Sequence, residues 1–92
     1  MDWNNELTQA LYDALSRVYP EVNPRVEHSD GRHHYFTLAN EFPEIHGVMC
    51  ASDDAPHILW GHNSRWTHKP DASAMYLYLK NLTREEVVRM VY

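Results

Sequence analysis

Between residues 3 and 18 apolar side chains return every three or four positions, so that Trp3, Leu7, Ala10, Leu11, Ala14, Leu15 and Val18 fall on one stripe of a helix. Asp2 or Asn4 can cap its start, and Asp2 and Glu6 suit the positive end of the helix dipole. Pro20 ends it, because Tyr19 before a proline is steered away from helical angles.

The period then shifts toward two. A hairpin is predicted with strands near 25–28 and 32–38, folding back at Asp30-Gly31 and gathering His28, His33 and His34. A two-residue turn sets Val26 opposite Tyr35 and His28 opposite His33; a three-residue loop shifts each pair by one. Ile45 to Ala51 reads as a strand with Ile45, Met49 and Ala51 on one face, and His57 to Gly61 as the next, around Ile58, Leu59 and Trp60. Residues 62–71 are polar enough to be a loop. In 75–79, Met75, Leu77 and Leu79 alternate with Tyr76 and Tyr78, which predicts a strand, although Asp71 could instead cap a helix. Thr83 and Glu86 form a capping box for a short last helix, with Leu82 and Val87 as its hydrophobic staple.

The expected fold is therefore α+β: an N-terminal amphipathic helix packed on a mostly antiparallel sheet of about four or five strands, with a short C-terminal helix. At 92 residues the chain makes one domain, 1–92, and buries roughly 60 to 65% of its unfolded surface. No apolar run approaches the ~20 residues that cross a bilayer, so no membrane partner is expected. The single cysteine, Cys50, and a start, Met1 to Glu6, without the basic and then apolar stretches of a secretory signal point to a reducing, cytoplasmic setting.

Charge is unevenly spread. Residues 1–46 hold eight acids against three bases, whereas the rest balances five against five, giving the formal net charge of -5. That disfavours direct nucleic-acid binding and fits attraction to a basic partner.

No catalytic signature accompanies these elements. Cys50 lacks a convincing base and oxyanion donors, and its predicted strand setting beside Val48 and Ala51 is that of a buried, inert thiol. Asp53 and Asp54 lie in a turn before Pro56, where aspartate serves the backbone. The three glycines are too few for a phosphate loop. No enzyme activity and no cofactor are expected. Metal binding through His46, Cys50, His57 and His62 is the alternative, because their spacing is compatible with zinc but lacks a Cys-x-x-Cys pair.

The function expected instead is non-catalytic docking on a larger protein or ribonucleoprotein with a basic surface. Glu6, Asp13, Glu27 and Glu41 would supply charge, and Arg65, Trp66, Tyr76 and Tyr78 the desolvated anchors. Trp60 is expected to anchor its loop in the interior. In size, acidity and lack of motifs the chain resembles small phage or mobile-element proteins that block host machinery, including anti-CRISPR proteins and toxin-neutralising immunity proteins. That resemblance implies an inhibitor, acting in the host cytoplasm if phage-encoded, and rests on no particular residue. A homodimer paired through an open sheet edge is a third reading.

Overall fold

The computed structural model describes residues 6–28, 33–38 and 40–92. Helix α1 (Glu6–Val18) is followed by five strands, β1 (Arg25–His28), β2 (His33–Thr37), β3 (His46–Cys50), β4 (His57–Trp60) and β5 (Arg65–His68), then by α2 (Ala72–Lys80) and α3 (Arg84–Val91). The strands form one antiparallel sheet in the order β1-β2-β3-β4-β5. This is the α+β architecture that the pattern predicts.

The predicted apolar stripe of α1 is buried from Leu7 through Leu11 and Leu15 to Val18. Its proposed caps and Trp3 lie outside the described residues. The helix stops before Pro20, as expected. Its buried residues share one core with Val26, Phe36, Met49, Ile58 and Trp60 from the sheet, and with Met75, Leu79, Val87 and Val91 from the two later helices. The three helices thus cover the same face of the sheet. Thr67 of β5 joins this interior by accepting a 3.0 Å hydrogen bond from the indole Nε1–H of Trp60.

Two expectations are corrected and one open alternative is settled. First, 72–80 is a helix: only Met75 and Leu79, four residues apart, are fully buried there, whereas Leu77 is 62% exposed. The residues that appeared to alternate are mostly good helix formers. The Asp71 carboxylate accepts from the Ala74 N–H at 2.9 Å and fixes the helical start. Asp71→Ala is expected to cost about 1 kcal/mol of folding free energy in chemical denaturation. Second, the fifth strand lies inside the polar stretch 62–71, where Thr67 is the buried member of an otherwise exposed Arg65-Trp66-Thr67-His68. Third, Val26 pairs with Phe36 and His28 with His34, the shifted register. Cross-strand partners share a face, so buried Val26 must oppose buried Phe36 rather than exposed Tyr35. The Asp30-Gly31 turn itself lies outside the described residues.

Two arginines tie the helices together. Arg17 of α1 donates to the carbonyls of Leu79, Lys80 and Leu82 at the end of α2, at 2.9 to 3.2 Å. Arg84, opening α3, donates to the Val18 carbonyl at the end of α1, pairs with Glu21 at 2.6 Å and lies 4.2 Å over the Tyr19 ring. Each cation sits at a helix C-terminus, where the helix dipole is negative and an arginine can donate to the last carbonyls. The Thr83 hydroxyl caps α3 by accepting from the Glu86 N–H at 3.1 Å. The Glu86 carboxylate meets Arg89 and Tyr78.

Candidate binding face

With all three helices on one side, no described helix covers the other side of the sheet. Alternation assigns it Arg25 and Glu27 from β1, His33, Tyr35 and Thr37 from β2, His46, Val48 and Cys50 from β3, His57 and Leu59 from β4, and Trp66 and His68 from β5. None of these twelve is fully buried.

Strand register arranges them in transverse rows. Glu27, Tyr35, Val48, Leu59 and Trp66 are consecutive cross-strand partners and make a band from one sheet edge to the other. Its two aromatic members are open to solvent, Tyr35 at 54% and Trp66 at 50%. Beside this band, His33, Cys50, His57 and His68 are likewise consecutive partners. The rows meet in a ring cluster at the β4–β5 corner. Trp66 stacks on His68 with centroids 5.6 Å apart and planes 14° from parallel, and His57 lies 5.2 Å from Trp66 and 5.3 Å from His68. Arg25 and Glu27 face each other loosely at 4.0 Å, both well exposed.

A concavity of about 760 Å³ lies between α1 and α2, bounded by Glu6, Leu7, Asp53, Tyr76, Leu77 and Lys80. It brings together two of the sequence-predicted partner-binding residues, Glu6 and Tyr76. The remaining candidates are scattered. Asp13 is exposed on α1 and accepts from Gln9 at 2.9 Å, and Glu41 sits in the turn region after β2. Glu27 and Trp66 lie on the opposite side of the molecule, at the two ends of the aromatic band. The four acids therefore do not form one patch.

Two expected anchors have structural duties. The Arg65 guanidinium donates to the carbonyls of Arg89 and Tyr92, which closes the last turn of α3 against β5. Tyr78 is half-buried, carries Lys69 over its ring at 4.7 Å and donates its hydroxyl to Glu86 at 3.1 Å. Burial pushes its pKa up to about 12. Nearby, the Tyr92 hydroxyl donates to the Glu44 carboxylate, which holds the acid below its usual range and pushes the phenol up to about 12.

The predicted metal set is also dispersed. Cys50 and His57 are cross-strand partners, but His46 turns its Nδ1 to the Pro43 carbonyl at 3.2 Å and lies against Gly61, and His62 packs toward Tyr92 with centroids 6.3 Å apart. Among the described residues no group of three or more His, Cys, Asp or Glu side chains could hold a metal ion. Cys50 is half-buried on the outer face, where sequence placed it in the interior. Reasoning from sequence missed Tyr35 and Val48 as members of the band, because a row is defined by register across strands and not by spacing along one.

No protein-family model, curated protein or solved structure matches this chain. No described helix is long and apolar enough to cross a membrane.

Proposed function

We propose that this protein is a non-catalytic binding module, an inhibitor or adaptor, that docks on a larger protein in the cytoplasm through the helix-free face of its sheet. The observation that carries the reading is the transverse band Tyr35-Val48-Leu59-Trp66, half-open aromatics flanking aliphatic residues on a face no described helix covers. Rigid strands hold these rings with little entropy left to lose, and tyrosine and tryptophan dominate binding energy when a partner desolvates them. Charge plays a lesser part than composition implied, since Glu6 and Asp13 lie on the helical side and Glu27 alone joins the band.

The test is affinity capture from cells of the source organism with four baits: the wild type, Trp66→Ala, Tyr35→Ala, and a Tyr76→Ala/Leu77→Ala control at the α1–α2 groove. The expected result is one protein recovered by the wild type and the groove control. Its Kd should weaken roughly thirtyfold, about 2 kcal/mol, in Trp66→Ala. A partner lost with the groove control and kept with the band variants would move the site to the helical side.

A further inference from the structure

β1 is an edge strand, and among the described residues no strand pairs with its outer side. The opposite edge differs, because Arg65 of β5 holds the end of α3 against it through the Arg89 and Tyr92 carbonyls. An open row of backbone N–H and C=O groups is a template for a further strand.

The ladder fixes which groups of β1 point outward. Successive residues of a strand turn their N–H and C=O to alternate neighbours. The Leu38 N–H donates to the Ile45 carbonyl at 3.1 Å, so even-numbered residues along β2 bond toward β3 and odd-numbered ones toward β1. Tyr35 and Thr37 oppose Glu27 and Arg25. Arg25 and Glu27 therefore direct their backbone groups to β2, and Val26 and His28 aim theirs at the open edge. Pro24, in the same phase, has no N–H to leave unpaired, the placing that sheets allow to proline.

Side chains then select the strand that fits. Arg25 and Glu27 are well exposed on the outer face, 4.0 Å apart, and Val26 is buried on the inner face. Directly opposed residues share a face, so a second β1 can pair only in registers that shift by two. Centred on Val26, antiparallel pairing sets Arg25 of each copy opposite Glu27 of the other, and Val26 opposite Val26. Slid by two residues either way, it sets Arg25 against Arg25 or Glu27 against Glu27. Opposite charges directly across stabilise a pair and like charges destabilise it, so the centred register is favoured.

We propose that two copies of this protein dimerise by antiparallel pairing of β1 with β1 about a two-fold axis through Val26, which joins two five-stranded sheets into one. Symmetry makes each contact occur twice: the Arg25–Glu27 pair on the outer face, and the bond from the Val26 N–H to the Val26 carbonyl of the other copy. The interface is a single strand of four residues wide, so the dimer is weak and depends on concentration. It does not rest on the docking reading, because strands added in the plane of the sheet leave the Tyr35-Val48-Leu59-Trp66 band uncovered.

The test is sedimentation equilibrium at low ionic strength, with the wild type expected to dimerise below about 1 mM. Arg25→Glu and Glu27→Arg each create two like-charged pairs and should weaken the dimer about tenfold or more. The double variant Arg25→Glu/Glu27→Arg exchanges the two charges, restores both opposite pairs and should dimerise as the wild type does. Trp66→Ala should also keep the dimer. Hydrogen exchange at the Val26 amide should slow as protein concentration rises. Circular dichroism verifies that each variant is folded. The proposal is overturned by a wild type that stays monomeric at about 1 mM, by single variants that dimerise as the wild type does, or by a double variant as weak as the singles. Val26 exchange that ignores concentration overturns it too, as does a dimer lost in Trp66→Ala. None of these outcomes depends on whether a different protein is captured.

Discussion

Trp60→Ala is expected to remove about 3 to 5 kcal/mol of folding free energy. The chain's whole stability is of order 5 to 14 kcal/mol at the usual share per residue, so a large part would be lost. Trp60 has no solvent exposure, meets the Phe36 ring edge-on at 5.5 Å and 78°, and donates its indole N–H to Thr67. Truncation therefore leaves a cavity beside Phe36 and also removes the indole donor to the Thr67 hydroxyl. Urea denaturation should show the midpoint fall with little change in slope. Trp66→Ala, on the half-exposed outer face, should move the same midpoint by far less. That contrast separates the two tryptophans, one holding the fold and the other presented by it.

The same contrast shows what the sequence made legible. The α1 stripe, the Pro20 stop and the Thr83 cap were readable because each is a local signal whose physical cause lies within one turn of helix. The strand centred on Met49 was readable because Ile45, Met49 and Ala51, all buried, share the parity of one face. Where the reading failed, the deciding contact was distant. Alternating Met75, Leu77 and Leu79 fit a strand equally well until α1 and the sheet select Met75 and Leu79 for burial. β5 offers one buried residue, Thr67, and its place depends on Trp60 seven positions earlier. Neither pattern contains that information alone.

The binding face was less legible than the fold for a related reason. Trp66 could be singled out by residue type, but its neighbours could not. Leu59, Val48 and Tyr35 join it only because three antiparallel registers line them up, and a shift of one residue in any pair would turn that strand's side chains to the other face. Arg65 illustrates the opposite error: a cation beside a tryptophan reads as an anchor for a partner, yet its guanidinium closes carbonyls at the end of α3. Unsatisfied helix-end carbonyls compete for arginines as strongly as any ligand does.

Those registers hinge on Gly47, and Gly47→Ala is expected to cost about 3 kcal/mol, at the upper end for overpacking. Gly47 is the cross-strand partner of Phe36 on one side and Trp60 on the other. Its bare Cα leaves the room in which those two rings meet edge-on over β3. A methyl group there would lie 2.1 Å from the Leu59 carbonyl oxygen and 2.9 Å from the tip of the Phe36 ring. The ring could tilt away. The carbonyl belongs to β4 backbone and can yield only if β3 and β4 separate locally. Leu59 is also the band residue between Val48 and Trp66, so the strain would reach the outer face. Gly47→Ala should therefore lower the urea midpoint. Hydrogen exchange would locate the damage, with faster exchange expected in β3 and β4 and little change in α1.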